Sequence, residues 1–336
     1  MRGVGKYGLL CLSLFFLNSF MPVVQAATLD PTNVVAMDSQ KIIIASAVQM
    51  RTEPQVTANV LTRLKLGTVV RATKRTKTEE LIGGLRSYWY WVSLNNTQGW
   101  VFGNFLRDFD PTDRETIWLR LAHERTVNNS LSFSDYTDNY GFISSILPQV
   151  KNRLKATELQ FNRLISLQHS LEKVPLDQAK NQPYKGWLAE RNKEIFYDEI
   201  SGRWLVPQKS FWLLADSVPA TGLGDEIAHY AMDAPLGGEC EGDIACGLRL
   251  VLDTDGQYLK RYPQGRYVKS VLTAMSSSLA GIQDDVRQQP NYFRDDKDSG
   301  GVLQETMRLV KSTKPIERDK VLAQLQSLLT AYRKFH

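Results

Sequence analysis

Four histidines, His123, His169, His229 and His336, are the first places to look for acid–base or metal chemistry in this chain of 336 residues. Glu226 and His229 stand three apart, so on a helix both side chains share one face. A di-metal carboxylate bundle needs two such Glu-x-x-His pairs with further carboxylates. The sequence holds one, which reads as a surface pair. His123-Glu124 opens a zinc-protease pattern, but Val127 stands where the second histidine must bind. Asp253-Thr254-Asp255-Gly256 has the oxygens and the glycine of a calcium loop. Aligning Gly256 with the loop's glycine puts Val251 at the first ligand and Tyr262 at the last, so the stretch reads as a helix-ending turn. Ser170 and Lys173 make a Ser-x-x-Lys with no Lys-Thr-Gly to complete it. No Gly-x-Ser-x-Gly, phosphate loop or dinucleotide fingerprint occurs. The expectation is a protein that is not an enzyme and takes no cofactor and no metal.

Aromatic residues offer a different chemistry, that of binding. Tyr88 to Leu94 reads as a strand, in which Tyr90, Val92 and Leu94 share one face and Trp89 and Trp91 the other. The first set is expected to fill a core. The second either covers a neighbouring element or faces outward beside Trp100 and Arg86. Stacked rings with a polar handle suit peptide or glycan ligands, which makes Arg86, Trp89, Trp91 and Trp100 the candidate ligand-binding residues. The competing expectation buries these tryptophans against the helical part of the chain.

The elements that must hold this cluster are short and β-rich. Runs at 67–72, 88–94 and 99–103 alternate with turns, and Asn95 to Gly99 joins the last two as a hairpin. Ile42-Ile43-Ile44 begins the first strand, and the charged insertion over 74–87 reads as a long hairpin arm with Gly83-Gly84 at its tip. Arg51-Thr52-Glu53-Pro54, Leu64-Lys65-Leu66-Gly67 and Gly99-Trp100-Val101 together make residues 42–109 resemble a bacterial SH3-like (SH3b) domain. The resemblance implies a small β-barrel whose arms flank a ligand face. It also implies a non-catalytic module of the cell envelope that recognises peptidoglycan peptide or glycan, or an envelope protein. Cell-wall enzymes that join such modules to a papain-like domain need a cysteine with a downstream histidine. Here the remaining cysteines are expected to pair with each other, and His336 is the final residue. Two alternatives stay open: an enzyme site without a recognisable motif in the helical part, or an adaptor whose barrel docks on its own helices.

The fold class expected is therefore multidomain α+β: an SH3-like barrel over 42–109, then a mainly helical domain over 112–336 with one β-hairpin. Thr112 and Glu115 read as a capping box at the start of that domain. Val150, Leu154, Phe161, Leu164 and Leu171 recur at helical spacing from near Pro148. Residues 195–206 have β-rich arms around Ser201-Gly202 and read as a hairpin. Helices are expected at 223–233, 243–261, 265–279, 299–311 and 316–334. Tyr258 to Tyr267 resembles the turn of a tetratricopeptide-type helical hairpin, but no second copy follows at that family's period.

Composition and address complete the reading. With 43% hydrophobic and 23% charged residues, the chain can fold around a sizeable core. Residues 1–26 read as a secretory signal: Arg2 and Lys6, an apolar run from Leu9 to Phe20, then Val24-Gln25-Ala26 before cleavage. The run is too short to span a bilayer, so no transmembrane segment is expected after cleavage. Residues 27–41 read as a polar leader. The net charge of +5 less Arg2 and Lys6 is +3, too mild to argue for a nucleic-acid partner. Export to the periplasm or medium makes a Cys240–Cys246 disulfide the expected state of the two remaining cysteines. Closing so short a loop contributes on the order of 2.4 kcal/mol by chain entropy.

Overall fold

The computed structural model describes residues 33–218, 222–238 and 240–336. The expected signal over 1–26 lies outside the described residues. The β-rich part comprises β1 (Val34–Ile43), β2 (Val48–Arg51), β3 (Val60–Leu64), β4 (Val69–Thr76), β5 (Glu80–Ile82) and β6 (Leu85–Ser87). It closes with β7 (Trp89–Leu94), β8 (Thr97–Phe102) and β9 (Leu106–Asp108). Seven of these strands pair antiparallel in the order β3-β2-β8-β7-β4-β1-β9. β5 and β6 form the separate hairpin arm, with Gly83 and Gly84 both at positive φ at its tip. Ile43, Val48, Met50, Leu64, Val70, Ala72, Val92 and Val101 make the core of this unit, with Tyr90 and Leu94 against it. The period-2 reading of the Tyr88–Leu94 run therefore holds.

Two boundaries differ from the sequence reading. β1 starts at Val34, inside the stretch expected to be a leader. Only Lys41 and Ile42 of β1 pair with both β4 and β9; residues 34–36, 39 and 40 pair with β4 alone. An edge segment open to water on one side needs no apolar alternation, which is why residues 34–40 carry no strand pattern. β8 starts at Thr97 rather than Gly99, because Asn95 takes the left-handed conformation (φ 53°) and lets a two-residue turn close the hairpin. Gly99 is then mid-strand and buried. A Cβ there would lie 2.6 Å from Met50 Cγ and 2.7 Å from the Arg51 carbonyl, so β2 crosses β8 only over a glycine.

The helical part runs α1 (Arg114–Thr126), α2 (Phe133–Ile146), α3 (Arg153–Glu172) and α4 (Tyr184–Ala189). A two-stranded hairpin follows, β10 (Phe196–Asp198) and β11 (Arg203–Leu205), where one was expected. Then come α5 (Gln208–Asp216), α6 (Gly222–Asp233), α7 (Ile244–Val251), α8 (Gln257–Arg261) and α9 (Val268–Gln288). α10 (Ser299–Lys311) and α11 (Glu317–Tyr332) end the chain, close to their expected spans.

The capping box expected at Thr112 and Glu115 does not form. Asp110 instead accepts hydrogen bonds from the Thr112 amide and hydroxyl, at 2.8 and 2.7 Å. The Glu115 carboxylate reaches across to the Lys151 amide at 2.8 Å, which holds its pKa below the ordinary value. A full capping box stands instead at Ser132 and Asp135 on α2. Asp253 to Gly256 is no helix-ending turn. Residues 252–256 form a π-helical turn that joins α7 to α8, and it buries Asp255.

The sheet docks on the helices through one face. Ile42 and Leu66 join Trp118, Leu121, Ala122, Phe142, Ile143, Ile146 and Leu159 in a single buried cluster. Gly67, at φ +78°, lies so close to the Phe142 ring that a Cβ would sit 2.2 Å from it. Arg125, 9% exposed, pins the seam: it pairs with Asp135 at 3.0 Å and donates to Ser46 Oγ at 3.0 Å and to the Ile44 carbonyl at 3.4 Å. Burial opposes charge on Asp135, but hydrogen bonds from Ser132, Ser46 and Arg125 outweigh it and lower its pKa.

Candidate functional site

The register of β7 on β8 decides where the tryptophans go. Trp89 lies opposite Phe102, and Trp91 opposite Trp100, so all four rings share the face away from the core of the sheet. Trp89 packs on Phe102 at 5.5 Å and Phe102 on Phe105 at 6.2 Å, while Trp91 meets Trp100 edge-on at 5.4 Å. This second cluster buries Trp89 and Trp100, each 2% exposed, and leaves Trp91 half-buried. Its cover comes from the arm and from β1: Ile82 and Val34 pack against it, and Glu80 accepts the Trp89 indole N–H at 2.8 Å. Lys74 lies over both Trp91 and Trp100, at 4.8 and 5.6 Å from the ring centroids. Of the two expected alternatives, covering a neighbouring element holds for Trp89 and Trp100. The element is the arm and β1. The expectation that the helices cover these rings is corrected, because the helices pack on Ile42 and Leu66 in a separate cluster that contains none of the four rings.

A cavity of about 300 Å³ opens where the arm, β2 and the 52–59 loop converge on this cluster. Trp89, Phe102 and Phe105 line it from the sheet, Ile82 from the arm and Val56 from the loop. Gln49 and Arg51 of β2 bring polar groups to its mouth. Arg51 donates to the Ala58 carbonyl at 2.6 Å and also to Gln49, and Thr52 N–H bonds the Asn59 carbonyl at 3.0 Å. The loop is thus held shut on itself while Val56 at its crest stays 52% exposed. An apolar recess of this size, with an arginine and an amide at the rim, suits an aliphatic or aromatic side chain of a peptide with a polar neighbour.

Of the four residues expected to bind, only Trp89 lines this cavity. Trp91 and Trp100 sit under Lys74, and Arg86 is exposed on the arm. The residues that sequence reasoning passed over are Gln49, Arg51, Val56, Ile82, Phe102 and Phe105. Arg51 stood within the Arg-Thr-Glu-Pro stretch, and Phe102 follows from counting the hairpin register back from a two-residue turn. Nothing in the sequence marks Ile82, which arrives only because the arm folds over.

Elsewhere, Glu226 and His229 do share a face of α6. They line a pocket of about 280 Å³ with His123, Glu158 and Tyr267. The His229 ring stacks on Tyr267 at 4.1 Å, and Arg266 pairs with Glu226 at 2.9 Å. Burial pushes the Glu158 carboxyl up, against the pull of His123. Among the described residues no group of three or more histidine, cysteine or acidic side chains is arranged to hold a metal ion. Cys240 and Cys246 are joined in a disulfide at the start of α7, where Asp243 accepts the Cys246 amide at 3.0 Å. No described helix is long and apolar enough to cross a membrane.

No curated protein matches the chain. The sequence model of the family described as bacterial SH3 domain matches residues 46–107, the span that holds the tryptophan cluster, the arm and the cavity. Residues 46–107 of this chain are a bacterial SH3-like domain.

Proposed function

We propose that this chain is a non-catalytic, exported binding protein of the cell envelope, whose SH3-like unit takes a peptide side chain into the cavity between Val56, Ile82 and Trp89. The observation that carries the reading is that cavity. It lies within the span matched to the bacterial SH3 domain, is floored by aromatic rings, and among the described residues none of 112–336 stands in its wall. The ligand class is a peptidoglycan stem peptide or an exposed segment of an envelope protein. Among the described residues none of 112–336 lines the cavity, which supports a platform role for the helices. The signal-like pattern over 1–26 and the Cys240–Cys246 bond support export.

Val56→Asp places a charge at the crest of the loop without disturbing a buried side chain. Purified protein should cosediment with peptidoglycan sacculi, and Val56→Asp should weaken this by about 1–3 kcal/mol, as for loss of an interface anchor. Sacculi stripped of their stem peptides should retain neither protein. Equal sedimentation of wild type and Val56→Asp would contradict the assignment of the cavity.

A further inference from the structure

A further cavity belongs to no site described so far. It is a cleft of about 1080 Å³ between the C-terminal end of α3, the 173–181 loop, the β10–β11 hairpin and the 235–238 loop. Its walls are tied together by Asp198, which accepts the Ser201 amide and the Gly238 amide, each at 3.0 Å. These bonds and the Ser201 hydroxyl hold the Asp198 carboxyl below its ordinary pKa. Asp198 thus ties the β10–β11 hairpin to the 235–238 loop at one wall of the cleft.

Its lining has two kinds of unsatisfied surface. Leu176, Tyr197 and Leu236 on the rim are 65%, 47% and 38% exposed, and apolar side chains so exposed around one concavity mark a binding surface. Charges of both signs stand beside them. Lys180 and Arg203 face the cleft with Glu172 and Asp177, and among the described residues none of the four forms an ion pair.

We infer that this cleft is a second binding site, for a short peptide segment that carries an apolar side chain between an acidic and a basic one. Charge complementarity selects that occupant over the others. A neutral glycan needs a flat aromatic platform and idle amides or hydroxyls. Tyr197 and Trp204 are instead tilted by 55°, and the uncharged polar side chains Gln168 and Ser201 are already hydrogen-bonded to Val206 and Asp198. A lipid chain would leave Asp177, Lys180 and Arg203 without partners, with Glu172 held only by the Gln168 amide at 3.3 Å, and a simple anion would meet Glu172 and Asp177. A peptide of mixed charge satisfies both pairs and the leucines together.

The test is an array of acetylated, amidated tetrapeptides with every combination of Lys, Glu, Leu and Ala, together with immobilised chitotetraose, probed with the full chain and with Arg203→Glu and Trp204→Ala. Arg203 is exposed and forms no ion pair among the described residues but lies opposite Asp198 in the hairpin, so Arg203→Gln, which adds no second carboxylate there, is measured beside Arg203→Glu and should keep the native near-UV dichroism and the native unfolding midpoint. Peptides that contain Lys, Leu and Glu together should retain the protein. Arg203→Glu should lower that retention at least tenfold on the peptides whose acidic residue it faced, and Trp204→Ala should lower it across the array. Three results would overturn the inference: no peptide retained, retention on chitotetraose alone, or peptide retention that a natively folded Arg203→Glu or Arg203→Gln leaves unchanged.

Discussion

Single residues carry more of this fold than their types suggest. Asp255 is 6% exposed in the π-helical turn, and burial together with the charge of Asp233 pushes its carboxyl up to about 7. Its folded pKa is therefore above the unfolded value near 3.9. A proton held more tightly by the folded state adds stability below about pH 4, and that contribution fades as pH rises through about 7. Asp255→Asn should thus raise the unfolding free energy from urea titration at pH 8 by on the order of 2–4 kcal/mol, and change it little at pH 4. Equal effects at the two pH values would show that the carboxyl is not protonated in the fold. The sequence marked Asp255 as a failed calcium ligand and gave no sign of its burial, because π-turns and burial are set by what packs around the helix. Trp89 was more legible. The strand period placed it on the face away from the core, but its bond to Glu80 depends on an arm whose fold-back no local pattern encodes.

At the scale of elements, the sheet depends on a close crossing at Gly99. Gly99→Ala would place a Cβ 2.6–2.8 Å from Met50, Arg51 and Leu61, two of them on β2. Overpacking of this kind costs about 1–3 kcal/mol, so the variant's unfolding free energy should fall by that much and its denaturation midpoint with it. A midpoint within experimental error of wild type would mean that β2 can withdraw from β8 freely. Elements with strong periodic patterns were readable: the β10–β11 hairpin, α6, α10 and α11 lie within a few residues of expectation. Those that were missed obey tertiary demands. The exposed half of β1 lacks alternation because one of its edges faces water. The helix start at Thr112 took Asp110 as its cap, since Glu115 was drawn to the backbone ahead of α3.

On the scale of the whole molecule, the SH3-like unit and the helices share one buried seam. Ile42 and Leu66 looked like ordinary strand residues, and only the assembled structure shows that they cover Trp118 and Phe142 rather than filling the sheet's own core. Arg125 supplies the polar part of that seam. Arg125→Ala removes an ion pair and two bonds into the sheet, and should cost on the order of 2–4 kcal/mol in denaturant unfolding. A loss under about 0.5 kcal/mol would make the seam incidental to stability.

Among the described residues none of 112–336 lines the cavity at Val56, and binding there is the central claim. It is tested most directly by amide hydrogen exchange on the full chain, with and without peptides released from peptidoglycan. The account predicts new protection at residues 46–58 and around Ile82, Trp89, Phe102 and Phe105, with any change in the helices confined to the cleft near Trp204. Protection limited to residues 112–336, with the SH3-like unit unchanged, would contradict it.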